Sequence, residues 1–299
     1  MLADKLLEKM MVLYGTQFPF QRGSWRLIDR YLNSGRLAAC YSRGQLTRVN
    51  RRGFLFDLDL TDFVDQYLYL DAYEKQDYDA LIRAMPVGGV FFDVGAYIGI
   101  YTLAMARAAG PGGFVCAFEP NPATFGRLRQ HVLQNGLTNV HLNQVAISSA
   151  EGRAKLNAPT KENSGAASLL SSNMPARFEA RPVEVRVTCL DAYCRKHPVD
   201  RVDIIKIDCQ GYELQVLTGA SNILEKCRPR LLVEYDIDWL FAAGASGTQL
   251  CSLLDKAGYN CFTVHRGRFV PFAATDKPGT LVNLHALPAE RGKATNTHV

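Results

Sequence analysis

From Val87 onward the chain alternates short apolar runs with stretches whose apolar residues recur at helical spacing, and this alternation most restricts the folds open to it. The runs are Val90–Val94, Phe114–Glu119, Val140–Ile147, Val202–Ile207, Arg230–Glu234, Tyr259–Val264 and Leu281–Ala286. Between them, Asn121 is a good N-cap with Pro122 at the first helical position, Phe125, Leu128 and Val132 share one face, and Gly136 closes the segment. Gly211–Gly219 and Thr248–Ala257 read as further helices. Strands that alternate with helices pair mainly in parallel and are covered on both faces. The expectation is therefore an α/β fold.

The first two runs carry the most chemistry. Val90-Phe-Phe-Asp-Val-Gly-Ala-Tyr-Ile-Gly99 leads into a helical pattern, and a Gly/Pro break precedes Val115-Cys-Ala-Phe-Glu-Pro-Asn-Pro122. Gly95 and Gly99 leave space in which backbone can approach a ligand closely. Glu119, about 20 residues beyond Gly99, sits where a carboxylate accepts hydrogen bonds from a ribose diol. The order Gly95-Ala-Tyr-Ile-Gly99 lacks the G-x-G-x-x-G of a pyrophosphate cradle. An acid at Asp93 suits the ammonium of a methionine moiety better than a phosphate. The pattern points to S-adenosylmethionine as cofactor; a buried strand leading into a close-packed helix is the plain structural alternative.

In sheets of this kind, ligands sit beyond the carboxyl ends of the strands. Asp93, Glu119, Asp208 and Glu234 each end an apolar run and are expected to converge on one crevice. For Asp208 and Glu234 the competing reading is a helix cap, and Lys206 has the simple alternative of pairing with an acid. Asp208, Glu213 and Glu234 also offer hard oxygen atoms to a divalent metal, but no spacing rule separates a metal site from independent acids, and the metal is left unassigned.

At 299 residues, 47% hydrophobic and 21% charged, the chain has the composition of an ordinary globular protein. No apolar run reaches the roughly 18 residues of a membrane-spanning helix, and no signal-peptide pattern opens the sequence, so a cytoplasmic location is expected. The eight cysteines include no C-x-x-C and no histidine at zinc-ligand spacing; they read as reduced core thiols. Residues 1–52 carry ten Lys plus Arg against three acids, a net of +7. Such asymmetry marks a solvated face or a surface for an anionic partner. Leu2–Leu13 and Ser24–Leu32 have amphipathic spacing, and Leu46–Val49 with Phe54–Leu60 around Asn50-Arg-Arg-Gly53 reads as a hairpin.

With these motifs in view, the chain resembles the FkbM family of S-adenosylmethionine-dependent methyltransferases. The resemblance rests on Asp93-Val-Gly-Ala-Tyr-Ile-Gly99, Phe118-Glu-Pro-Asn-Pro122, Lys206-Ile-Asp-Cys-Gln-Gly-Tyr-Glu213 and Pro229-Arg-Leu-Leu-Val-Glu234, with Ser164-Gly-Ala-Ala-Ser168 and Thr188-Cys-Leu-Asp191 between them. Coverage runs from roughly Phe54 to Pro288. Tyr97 stands where the family pattern has Asn, Gln210 where it has an acid, and Tyr212 where it has a small residue. The resemblance implies a class I methyltransferase (Rossmann-like) fold with a mostly parallel seven-stranded sheet and helices on both faces. Read along its length, the chain divides into three parts: an N-terminal helical and hairpin extension over 1–86, a methyltransferase domain over 87–288, and a flexible tail over 289–299.

The implied activity is methyl transfer to a hydroxyl of a sugar, glycan or secondary metabolite. An acceptor lone pair must be aligned opposite the carbon–sulfur bond, and a nearby base must take the hydroxyl proton. Asp208 is the first candidate base, Glu234 the second, and Glu213 the third, the last as an acid in the first turn of a helix. Asp93, Gly95, Tyr97 and Gly99 are expected around the methionine part, Glu119 at the ribose, and Asn121 and Ala146 beside the adenosine. The Ser-, Asn-, Ala- and Gly-rich segment from Leu156 to Pro182 is expected to cover the acceptor as a lid, or to be a plain surface loop. Two other classes remain open: a nucleic-acid methyltransferase gripping phosphates with the basic N-terminal region, and a non-catalytic module that only binds the adenosyl cofactor.

Overall fold

The computed structural model describes residues 2–17, 24–159, 165, 167–169 and 180–292. They sort into two units, Met1–Lys75 with Pro159–Gly165, and Gln76–Ala158 with Ala166–Val299.

In the first unit, the helices Leu2–Gln17 and Ser24–Asn33 meet around Met11, Ile28, Tyr31, Leu32, Leu37, Leu70 and Ala72. The hairpin pairs β1 (Leu46–Arg51) with β2 (Phe54–Asp59) in register Arg51↔Phe54. Its two-residue turn, Arg52-Gly53, has φ of 54° and 79°, the left-handed pair that matches the twist of two adjacent strands. Arg48 binds Asp57 at 2.8 Å and Arg52 binds Asp71 at 2.7 Å, so part of the basic excess is spent inside the hairpin and its neighbouring loop. Glu8 is buried and accepts from the hydroxyls of Tyr41 (2.6 Å) and Tyr69 (2.7 Å).

The second unit contains β3 (Val90–Val94), β4 (Phe114–Phe118), β5 (Val140–Asn143), β6 (Ala146–Ile147), β7 (Gly152–Pro159), β8 (Ala180–Thr188), β9 (Ile204–Ile207), β10 (Arg230–Asp236), β11 (Tyr259–His265), β12 (Arg268–Pro271) and β13 (Leu281–Pro288). The main sheet runs β12-β11-β13-β10-β9-β3-β4-β5. Strands β5, β4, β3, β9 and β10 are parallel, whereas β13, β11 and β12 join through antiparallel pairings. The core beneath the sheet packs Phe92, Phe118, Ile205, Ile207, Leu231 and Val233 against Leu217, Leu224, Leu250 and Leu254. Each such burial contributes roughly 1.5–3 kcal/mol.

The α/β class and the mostly parallel sheet match the expectation; several details correct it. Among the described residues the main sheet has eight strands, not seven. The eighth, β12, is a short edge strand that ends in Pro271 and buries no residue, so it has no apolar periodicity to announce it. The single run Val140–Ile147 divides: β5 pairs with β4, while β6 pairs with β8 in a separate three-stranded sheet. The helix Lys75–Ala84, assigned by sequence to the N-terminal extension, lies almost wholly in the second unit. Its Tyr78 ring meets Tyr101 at 5.6 Å, and its Asp77 accepts from buried His285 at 2.8 Å. Ala289–Gly292, expected to be tail, forms a helical turn whose Glu290 pairs with Arg228 at 2.9 Å. The remaining tail, 293–299, lies outside the described residues. Much of the anticipated lid does too; its two ends are β7 and β8, and Leu156 is core.

Among the described residues no helix is long and apolar enough to cross a membrane.

Candidate active site

The carboxyl ends of β3, β4 and β9, together with Glu234 of β10, bring the expected acids to one edge of the sheet. Glu234 lies inside its strand rather than at the end, but the pairing Val233↔Ile207 sets it level with Asp208.

At the end of β3, Asp93 is buried. Its Oδ2 accepts from the Thr102 hydroxyl at 2.5 Å, while its Oδ1 is enclosed without a hydrogen-bond donor. Burial pushes this carboxyl above the usual range, and the neighbouring Lys206, its register partner on β9, opposes the shift. The loop that follows is folded onto β4: the amides of Gly95 and Ala96 both donate to the Phe118 carbonyl at 3.0 Å. Glycine is required at 95 because a Cβ there would lie 1.8 Å from the Asp208 carbonyl oxygen, at a φ of 78°. At Gly99 a Cβ would meet Leu128 at 2.7 Å and Leu103 at 3.0 Å. The space at both glycines, read from sequence as room for a ligand, is thus filled by the protein itself. Tyr97 holds a φ of 51°, a conformation that Asn adopts more easily than Tyr.

Glu119 organises the loops on either side. Its Oε1 accepts from the Asn121 amide (2.9 Å) and the Thr124 hydroxyl (2.8 Å), and its Oε2 accepts from the Tyr97 amide (2.9 Å). Burial pushes its carboxyl up to about 7 against these three donors. Oε2 keeps a second lone pair for a further donor. Asn121 caps the helix Pro122–Gln134, accepting from the Ala123 amide at 3.1 Å. Ala146 packs in a small cluster with Leu156 and Val185.

The second half of the site is a polar chain across β9 and β10. Lys206 Nζ lies 5.3 Å over the Tyr101 ring and donates to Asp208 Oδ2 at 3.0 Å. Gln210 Nε2 donates to Asp208 Oδ1 at 3.0 Å and to Glu234 Oε2 at 2.9 Å, bridging the two acids. Burial raises the Asp208 carboxyl, but the Lys206 ammonium and the Gln210 amide outweigh it and hold the group below its ordinary value. Glu234 goes the other way: burial, then the charge of Asp208, push it well above. The two neighbouring acids are thus biased in opposite senses, Asp208 toward its charged form and Glu234 toward its protonated form. Glu213 turns away from this chain into its own loop, where Oε1 accepts from the amides of Cys209 (2.8 Å) and Gly211 (3.2 Å); burial lifts it to about 7.

The acids show in the sequence as the ends of apolar runs; the groups that hold them do not. Thr102 and Thr124 had no spacing signal, and Gln210 read only as a lost charge. The hydroxyl of buried Ser168 donates to the Gln210 carbonyl at 2.8 Å, and Tyr212 donates to the Leu169 carbonyl at 3.3 Å, so residues 168–169 are tied to the loop that carries the bridge. Asp191, part of the motif series, supports a helix end: it accepts from the amides of Asn222 (3.0 Å) and Ile223 (3.2 Å). Among the described residues, no group of three or more His, Cys, Asp and Glu side chains is placed to hold a metal ion.

An enclosed carboxylate oxygen without a donor at Asp93 and a free lone pair on Glu119 fit a ligand that brings its own donors, such as an ammonium and hydroxyls. Pyrophosphate, which brings none, does not fit.

The family model described as the methyltransferase FkbM domain matches residues 93–261, more than half of the chain. The 31-O-demethyl-FK506 methyltransferase FkbM of Streptomyces tacrolimicus is 26% identical over 238 residues, covering 71% of this chain and 86% of its own. The 2-O-methyltransferase NoeI of Sinorhizobium fredii is 30% identical over 129 residues, covering 40% of this chain and 52% of its own. The hexuronic acid methyltransferase AglP of Haloferax volcanii is 28% identical over 137 residues, covering 46% and 52%.

Proposed function

Because the chain belongs to the FkbM-domain methyltransferase family, whose methyl donor is S-adenosylmethionine, we propose that it methylates a hydroxyl oxygen of a sugar, glycan or secondary metabolite. The observation that carries the reading is the Lys206–Asp208–Gln210–Glu234 chain beside the Asp93 and Glu119 cradle. The relatives support the acceptor class: their names specify a 31-O position, a 2-O position and a hexuronic acid.

The bound donor supplies a methyl group already activated on a sulfonium. The residues of the chain do the rest. Glu119 accepts from the ribose hydroxyls through the open lone pair of Oε2, and Asp93 turns its unpartnered Oδ1 to the ammonium of the methionine part. Asp208, kept ionised by Lys206, takes the acceptor's hydroxyl proton as the oxygen gains the methyl group. Glu234, which burial and the charge of Asp208 bias toward its protonated form, competes less well for that proton. Glu213 stays in its loop as a positioning residue. Asn121 fixes the helix start beside the adenosine, and Tyr97 shapes the mouth of the cradle, whereas Gly99 lets Leu103 and Leu128 pack beneath it. The reading carries a cytoplasmic setting with it, a reducing compartment in which scattered thiols such as Cys116 and Cys261 persist.

Calorimetric titration with S-adenosylmethionine, S-adenosylhomocysteine and NAD tests the cradle. Binding of the first two and not of NAD is expected, weakened by roughly 1–3 kcal/mol in Glu119→Ala, the cost of leaving buried donors unpaired. Transfer of a labelled methyl group to a panel of sugars, glycans and polyketides then tests the acceptor class. Labelling of RNA instead would replace that class, and binding without transfer to any acceptor would leave a cofactor-binding module.

A further inference from the structure

The helix Leu2–Gln17 carries two apolar stripes, centred about 100° apart around its axis. Leu7, Met11 and Tyr14 pack into the first unit's own core. Flanking that buried stripe, Leu6, Met10 and Leu13 stand 62%, 58% and 55% exposed. At 3.6 residues per turn these three fall within an arc of about 60°, with Lys5 and Lys9 along one edge. Both lysines are exposed. On the second helix Leu27 is 48% exposed, and Arg26 and Arg30 beside it are exposed as well. Residues 1–52 carry ten basic residues against three acids; Arg48 and Arg52 are paired with Asp57 and Asp71, and one of the three acids, Glu8, is buried beneath Tyr41 and Tyr69.

We propose that this face docks the protein on an anionic lipid bilayer surface. The feature is a convex ridge of long apolar side chains, not a pocket, and a fluid interface is the surface that receives such a ridge without a matching shape. Leu6, Met10 and Leu13 enter the boundary between headgroups and acyl chains, while Lys5 and Lys9 remain at headgroup level, their stems along the apolar surface and their ammonium groups on phosphates. A second copy of the chain is a poorer occupant. It would bring lysine against lysine, and three side chains of one helix offer far less than the roughly 800 Å² per partner of a stable interface.

The test is flotation of the full chain with phosphatidylcholine vesicles, with and without phosphatidylglycerol, at low and high salt. Partition onto the anionic vesicles alone, reduced by salt, is expected. It should fall about tenfold or more in Lys5→Glu/Lys9→Glu, since each basic residue near such a surface is worth about a factor of five. A similar loss is expected in Leu6→Ser/Met10→Ser/Leu13→Ser. Both variants change only exposed positions and should keep the wild-type circular dichroism and S-adenosylhomocysteine affinity; if the triple variant unfolds, the lysine pair still decides. Several results would overturn the proposal: no partition onto anionic vesicles, partition equal in wild type and variants, or dimerisation that the serine variant abolishes. Salt-sensitive RNA binding without vesicle binding would instead assign the basic face to nucleic acid. None of these outcomes depends on methyl transfer, so failure here is distinguishable from failure of the enzymatic reading.

Discussion

In the proposed cradle, Glu119 is the acid whose charge should matter most to binding. Its carboxyl is pushed up to about 7 by burial, and its ionised form is the better acceptor for a ribose diol. The affinity for S-adenosylhomocysteine should therefore rise as pH increases from about 5.5 to about 8, a dependence that calorimetry at several pH values reads directly and that Glu119→Gln should flatten. The neighbouring acid pair calls for a different test. Gln210→Glu replaces the amide that donates to both Asp208 and Glu234 with a group that must find a proton of its own. A loss of about 1–3 kcal/mol of stability is expected on thermal unfolding, and Gln210→Leu should lose a similar amount by leaving both acids without the donor. At this scale the sequence was legible where an apolar run stops at an acid, as at Asp93, Glu119 and Asp208. Gln210 was not legible as a bridge, because nothing in a linear pattern shows that an amide at a φ of 50° reaches across to the next strand. The same limit applied to Gly95, whose Cβ space is filled by the carbonyl of a residue more than a hundred positions away.

Helices and strands were legible in proportion to their periodicity. The helix Pro122–Gln134 was announced by its Asn cap, proline and apolar face, and the parallel strands by their continuous apolar runs. The edge strand β12 and the division between β5 and β6 depend on pairing partners distant in sequence, which local pattern does not contain. Two substitutions separate packing from binding at this scale. Gly95→Ala should cost more than about 3 kcal/mol, because the added carbon collides with backbone at a positive φ and must push β3 and β9 apart. Asp191→Ala should cost about 1–3 kcal/mol by stripping acceptors from the start of the helix Ser221–Lys226, with cofactor affinity unchanged. A denaturant titration paired with calorimetry distinguishes the two. If Asp191→Ala bound the cofactor weakly, its role would extend beyond the helix end.

For the molecule as a whole, the buried acids tie stability to pH with a definite sign. Glu119 and Glu213 both have folded values lifted to about 7 by burial, above the 4.5 of an ordinary glutamate. The folded state binds more protons than the unfolded one between those limits, so this contribution is fully present at low pH and fades as pH rises through 7, by on the order of 3 kcal/mol for each group. Asp208, held below its ordinary value, contributes in the opposite sense, lost only in acid. The apoprotein should melt at a lower temperature at pH about 8 than at about 6, and saturating S-adenosylhomocysteine should restore more of the loss at the higher pH. A melting temperature that rises across this range would show that these acids are not buried as described. The Arg266–Gly267 turn between β11 and β12 has a practical use of another kind. It lies at the far edge of the main sheet, with β11 and β13 between it and the strand of Glu234, and Arg266 is exposed. A fluorophore or affinity tag inserted there would report on the protein, or immobilise it, while leaving the crevice open to whatever acceptor is offered.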